Sequence, residues 1–432
     1  MRKNRLLLST VLSVLLFTSL ALPVESAASS WAQKYGGVNH DASYSLVQTD
    51  DGGYALAGST DSAVGAGEKD FWLVKTDADG NQLWSRTYGG AGNEEAQSLV
   101  QTSDGGYALA GSTGERILLV KTDASGNMEW NQTCSGTAYS LVQTGDGGYA
   151  LAGYIHLPEH NTFWLVKTDA DGNMQWSNTY GLGNTDYRAY SMIQTDDGGY
   201  ALAGTGYRGV LGGPGIWLVK TDASGNMQWN NYEGEGIAEM GEGIAYSLVQ
   251  TGDGGYALAG YVIFGYTDFW LVKTDADGNM QWDNTYDGGG DSEHAYSLVQ
   301  TSDGGYALAG STDSAVGAGE KDFWLVKTDA DGNQLWSRTY GGAGNEEAQS
   351  LVQTSDGGYA LAGSTDSFGA GDYDFWLVKT DENGINPFVS SSESSLELIV
   401  IVVIAIVIIF FGLALLFYII KRKRKPKIVF SS

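Results

Sequence analysis

The octapeptide Asp-Gly-Gly-Tyr-Ala-Leu-Ala-Gly occurs seven times, beginning at Asp51, Asp104, Asp146, Asp197, Asp253, Asp303 and Asp356. The spacings are 53, 42, 51, 56, 50 and 53 residues, a period that marks a repeat architecture. Each unit holds four short runs with strand character, which the first unit predicts at 44–49, 54–60, 71–77 and 82–88. Asp-Asp-Gly-Gly joins the first two runs and Asp-Ala-Asp-Gly-Asn the last two, both rich in residues that tolerate positive φ, as hairpin turns require. The third run, Phe71-Trp72-Leu73-Val74, is apolar on both faces and so predicts a strand covered on both sides. Four antiparallel strands repeated radially make a propeller blade.

The tryptophans fix the number of blades. A fourth-run Trp follows the Asp-x-x-Gly-Asn turn at Trp84, Trp130, Trp176, Trp229, Trp282 and Trp336, but the seventh unit continues as Glu382-Asn383-Gly384-Ile385-Asn386-Pro387. The missing strand stands at the other end, where Trp31-Ala32-Gln33-Lys34-Tyr35 matches Trp84-Ser85-Arg86-Thr87-Tyr88. The expectation is an all-β, seven-bladed β-propeller whose N-terminal strand completes the last blade and leaves no open edge. Equivalent Trp positions in every blade argue for packing between blades rather than a carbohydrate-stacking surface. Residues 44–113 and 296–365 are identical except for Asp50 against Ser302, a segmental duplication.

The unit Gln-Thr-x-Asp-Gly-Gly-Tyr…Ala-Gly…Asp-Phe-Trp-Leu-Val-Lys-Thr-Asp-x-x-Gly-Asn-x-x-Trp resembles the SBBP-type and delta-60 β-propeller repeats of secreted archaeal and bacterial surface proteins. The resemblance runs over residues 31–386 and implies a fold, with little about activity. The step from Asp77 to Trp84 also looks like the tryptophan-docking motif of quinoprotein dehydrogenases, with one residue fewer.

The ends predict a topology. Arg2, Lys3 and Arg5, an apolar run and then Ser26, Ala27 and Ala28 read as a signal peptide over residues 1–28. The propeller is expected over 29–386 and a Ser-rich linker over 387–397. Residues 398–420 are an uncharged apolar run long enough to cross a bilayer as one transmembrane helix. The basic tail 421–432 would be retained in the cytoplasm. This predicts a single-pass cell-membrane protein with its propeller outside. The formal charge of −27 argues against nucleic acid as a partner. Residues 31–397 carry 15 basic and 50 acidic side chains, a balance of −35.

The turns on one face are short and uniform, while the second-to-third loops and the blade links on the other face vary. Loops on a rigid scaffold carry function, so the variable face is the candidate binding face. Its residues are His40, Glu94, Glu95, His156, His160, Glu233, Glu235, Glu239, Glu242, Asp291, Glu293 and His294. The acids read as a solvated rim able to attract cations or basic partners. His156-Leu157-Pro158-Glu159-His160 matches a His-x-x-Glu-His metal pattern, but that chemistry wants a helix. The oxygen-rich turn Asp77–Asn81 is explained by turn chemistry, with calcium the one ion it would admit. No catalytic triad or cofactor motif emerges. Cys134 takes the place of a fourth-strand Tyr and reads as a packed core thiol. Asn131-Gln132-Thr133 is the single glycosylation sequon. The pattern predicts a non-enzymatic module that binds a protein or glycan at the cell surface. The other class left open is an anchored hydrolase or quinoprotein-like dehydrogenase acting at the central channel.

Overall fold

The computed structural model describes residues 30–388, apart from 62–67, 115, 182–184, 208–213, 233–241, 264, 291 and 314–318. The predicted signal peptide, residues 389–397 of the linker, the apolar segment 398–420 and the basic tail lie outside the described residues. No helix among the described residues is long and apolar enough to cross a membrane.

The chain forms a seven-bladed β-propeller of seven four-stranded antiparallel sheets. We number the blades by their inner strands: Asp41–Gln48, Glu94–Gln101, Thr137–Gln143, Tyr187–Gln194, Glu242–Gln250, Glu293–Gln300 and Glu346–Gln353. In blade seven the outer strand is Trp31–Tyr35, which pairs with the third strand from Trp31 opposite Lys379 to Tyr35 opposite Phe375. The predicted closure is therefore present. Asn386 ties the seam: fully buried, its side-chain amide donates to the carbonyls of Trp31 and Lys379 at 2.9 and 2.8 Å. The inner strand of blade one starts at Asp41, three residues before the run read from the sequence. An acidic residue at a strand head is buried here, whereas the pattern alone assigns it to a loop.

Each blade is locked at its turn end by an ammonium. Lys75, in the third strand, is 4% exposed and reaches Asp51 of the Asp-Gly-Gly turn at 2.9 Å. It also donates to its neighbour's carbonyl, Thr76 O, at 2.7 Å. The same ion pair joins Lys121, Lys167, Lys220, Lys273, Lys327 and Lys379 to their blade's turn Asp at 2.7–2.9 Å. Thr49 Oγ1 and the Gly53 N–H donate to the same Asp51 carboxylate. Partial burial works upward on the Asp51 carboxyl, but these donors and Lys75 win and hold it down at about 2.

Four rings of contacts join the blades. Ser45 Oγ accepts from the Leu99 N–H at 3.1 Å, and the equivalent bond runs through all seven inner strands, closing from Ser350 to Leu46. Gln101 Oε1 accepts from the Asp50 N–H, and this ring closes from Gln48 to Ser355. The fourth-strand Trp meets the Tyr that follows Gly-Gly in the next blade at centroid distances of 5.6–6.0 Å, Trp31 on Tyr54 being the closing pair. Edge-on aromatic pairs add about 0.5–1.5 kcal/mol each beyond the area they bury. The packing role predicted for these Trp is what the structure contains. Gly80, with φ of 77°, lies flat under Trp31, where a Cβ would collide with the indole.

The fourth ring has a gap. Tyr35, Tyr88, Tyr180, Tyr286 and Tyr340 donate from their hydroxyls to the carbonyls of Gly80, Gly126, Gly225, Gly332 and Gly384 at 2.6–2.8 Å. Cys134 stands at this position in blade two. It is half-buried and packs against the core between blades two and three, as expected, but a cavity of about 260 Å³, lined also by Leu119, Leu151 and Gly172, opens where a ring would sit.

Two stability outcomes follow. Asp197→Ala removes the main partner of the buried Lys220 ammonium and is expected to cost about 2 kcal/mol in chemical denaturation at pH 7. Asp197 is held at about 2, mainly by Lys220 and Thr195 working against partial burial, below the unfolded value of about 3.9. Its contribution is present above pH ~4 and is lost as pH falls toward 2, so wild type and variant should converge there. Cys134→Tyr fills the cavity and supplies a hydroxyl for Gly172 O, and should raise stability by about 1–2 kcal/mol.

Candidate functional site

The inner strands ring the central channel, each entering from the variable face and leaving at the Asp-Gly-Gly turn. Every inner strand carries a β-bulge at the same place, between Ser43 and Ser45 in blade one and between Ala138 and Ser140 in blade three. A bulge turns an extra side chain out of the ladder. The bulged residues are Tyr44, Gln97, Tyr139, Tyr190, Tyr246, Tyr296 and Gln349. The bulge also needs a second-strand glycine opposite it: a Cβ on Gly58 would strike the Ala42 carbonyl.

Four of these tyrosines form a continuous arc over blades three to six. Tyr139 and Tyr190 have ring centroids 5.1 Å apart, Tyr190 and Tyr246 5.0 Å, and Tyr246 and Tyr296 5.2 Å. Tyr154 and Tyr261 back the arc from the second strands. The Arg188 guanidinium lies 5.4 Å over the Tyr154 ring. His294 stands 4.5 Å edge-on to Tyr261 and is stacked 6.0 Å from Tyr296. Burial, then the nearby Lys321, pushes the His294 imidazole below its ordinary value.

The opposite arc is charged. Glu95 pairs with Lys69 at 2.9 Å and Glu347 with Lys321 at 3.0 Å, each pair about one-third exposed. Between these strands Tyr44 is pushed up to about 12 by burial and then by the Glu95 charge. Burial raises the phenols of Tyr139, Tyr246 and Tyr296 further. The channel mouth is thus half aromatic and half ionic.

The sequence-predicted face is only partly assembled. Glu95 and His294 reach the channel mouth. Glu94 and Glu293 do not form a solvated rim: they head inner strands and are 4% and 0% exposed between blades. Glu242 is exposed at the head of the blade-five inner strand. His40 lies in the link into blade one, 5.0 Å from the Tyr373 ring. His156 and His160 flank a hairpin turn in blade three, where His156 Nδ1 meets Asn161 Oδ1 at 3.0 Å. The two imidazoles come from a hairpin and not from the helix that the metal pattern calls for. Glu233, Glu235, Glu239 and Asp291 lie outside the described residues. Asn131 is exposed on the outer strand of blade two, where a glycan has room. The oxygens of the Asp77 turn are spent locally, since Asp77 Oδ1 accepts from the N–H groups of Asp79 and Asn81. Sequence reasoning missed the tyrosine arc, although Tyr-Ser-Leu-Val-Gln against Gln-Ser-Leu-Val-Gln carried the signal.

No protein-family model matches the chain, and no curated protein matches it in sequence. Among solved structures it is similar to the WD40 domain of Pan2 from Neurospora crassa, at 10% identity, covering 82% of this chain and 100% of that one, with TM-score 0.51. It is similar to Sqt1 from Chaetomium thermophilum at 12% identity, covering 83% and 87%, with TM-score 0.50. A streptogramin B lyase matches at 11% identity, covering 81% and 98%, with TM-score 0.50. At these identities the likeness is one of fold.

The arc makes a spectroscopic prediction. In an alkaline absorbance titration of the native chain, Tyr139, Tyr246 and Tyr296 should stay protonated past pH 11. Replacing all three by Phe should leave the phenolate absorbance of the folded protein below that pH unchanged and reduce it only on unfolding.

Proposed function

We propose that the chain is a binding module of the cell surface, taking a protein segment or a glycan at the variable-face mouth of its channel. The observation that carries this reading is the tyrosine arc. Tyrosine offers large, rigid contact area with a polar tip and few rotors to freeze, which suits recognition of sugar rings and peptide segments alike. The ionic arc across the mouth would orient a ligand bearing charge. The carboxylates there are already engaged, Glu95 and Glu347 each by a lysine, which favours binding over turnover. The signal peptide and apolar segment read from the sequence would display the ring outside the cell on a single membrane helix.

The test is a glycan array together with capture of surface proteins, using the full-length chain in detergent and its Tyr190→Ala and Tyr246→Ala variants. A ligand of this site should lose tenfold or more in affinity with either variant, the scale of an interface anchor. Binding that survives both variants, or no binding to either library, would overturn the proposal.

A further inference from the structure

The seven blade junctions differ at one pair of positions. The first position faces the end of the second strand from the head of the third strand, as Asp70 faces Thr60. The second is at the head of the next inner strand, as Glu94 faces Thr113. Four junctions place acids at both positions: Asp70 with Glu94, Asp268 with Glu293, Asp322 with Glu346 and, across the seam, Asp374 with Asp41. The other three place acid at neither, having Arg116 with Gly136, Thr162 with Tyr187 and Gly215 with Gly243. Two of the four acid pairs come from the duplicated segment, but the other two arose separately. Acids at both positions or at neither is the pattern expected when the two side chains share one task.

The task is not an ion pair with a base. Asp41, Glu293 and Asp374 are 0%, 0% and 2% exposed. Among the described residues none of them forms an ion pair with a lysine or arginine: Lys69 and Lys321 are engaged by Glu95 and Glu347, and Lys34 acts on Asp374 through its charge without forming an ion pair. Asp41 Oδ1 and Glu293 Oε2 are buried and accept no hydrogen bond from the protein. Their other oxygens are held in place, Asp41 Oδ2 by the Gly37 N–H at 2.8 Å and Glu293 Oε1 by the Gly290 N–H and Thr312 Oγ1, both at 3.0 Å. Each carboxylate is thus fixed through one oxygen, while the other receives no donor from the protein. A Cβ on Gly36 would collide with both Asp374 and Asp41, so these two carboxylates crowd one small space. At the junction of blades five and six a third acid joins: Asp268, Asp287 and Glu293 each offer an oxygen, all within 4.8 Å of one another.

Buried carboxylates without a counter-charge are strongly disfavoured. A shared proton would relieve one charge of a pair, but at the junction of blades five and six Asp287 is exposed and Asp268 half-buried beside the buried Glu293, so the cluster of three carboxylates is open to an ion from solvent. The donors are all oxygens, which select a hard divalent cation. Calcium, with oxygen ligands at about 2.3–2.6 Å, fits oxygens spanning this distance and uses backbone carbonyls freely. At two junctions both oxygens of Glu94 and Glu346 are taken by N–H and hydroxyl donors of the chain. We propose that the other two, the seam with Asp41 and Asp374 and, most fully, the junction formed by Asp268, Asp287 and Glu293, are calcium sites. The ion bolts adjacent blades together at the variable face, independently of any ligand at the channel.

The full-length chain in detergent, stripped with EGTA and dialysed against micromolar calcium, should retain at least one calcium per chain by elemental analysis. Asp268→Asn with Glu293→Gln preserves shape and should remove one equivalent, with the far-UV circular dichroism unchanged. Should that double variant fail to fold, Asp41→Asn with Asp374→Asn tests the seam in the same way. Calcium should also raise the thermal midpoint of the wild-type chain. No retained calcium, or a content unchanged in a folded double variant, overturns the proposal and leaves the acids as proton-sharing pairs.

Discussion

The ammonium buried beneath each Asp-Gly-Gly turn is the interaction on which the rest of the structure depends. A lysine in a third strand that is apolar on both faces cannot reach water. It folds the first hairpin back over itself until the turn carboxylate and a neighbouring carbonyl meet its donors. That fixes where the second strand begins, and so where the Tyr after Gly-Gly stands to receive the Trp of the preceding blade. It also sets the inner-strand register in which Ser and Gln bond to the neighbouring blades. Seven copies of one electrostatic requirement thereby produce seven copies of one geometry, and closure needs no further instruction.

Much of this was legible in the chain. The turns, the interblade Trp and the split seventh blade all follow from spacing and local chemistry, because each concerns neighbours in sequence or a repeat of known period. What was not legible depends on which residue meets which across blades. Asp51 reads as a turn residue, and nothing local says that Lys75 is its partner. Glu94 and Glu293 read as loop acids, since an acid at a strand head has no periodic signature of burial. The tyrosine arc was hidden by the bulge, which breaks the alternation that would assign Tyr139 or Tyr246 to a face. Cys134 was recognised as a replaced Tyr, but the space it leaves depends on the next blade.

Ring closure also explains how the channel mouth comes to have two halves. The duplicated segment supplies the inner strands of blades two and seven, both reading Glu-Glu-Ala-Gln-Ser-Leu-Val-Gln. These strands are some 250 residues apart along the chain, yet the seam makes each a neighbour of blade one. Their Glu–Lys pairs flank Tyr44 and form one ionic arc. The blades between them in sequence, three to six, keep their tyrosines and form the other. A copying event within the chain has thus produced polarity across the ring, and with it a preferred orientation for whatever seats there.

The seam has a mechanical side as well. Both ends of the described chain leave from blade seven, and Asn386 holds the exit by its bonds to Trp31 and Lys379. Tension applied beyond residue 388 is delivered first to that buried amide. It then passes to the third strand of blade seven, held by five pairs to Trp31–Tyr35 on one side and seven pairs to Tyr359–Thr365 on the other, of which the five-residue ladder is the weaker. The other six blades carry no load until the ladder parts. Rupture at the seam would free the Trp31 and Tyr35 anchors of blade one together, so the ring should resist force up to one threshold and open from that single point.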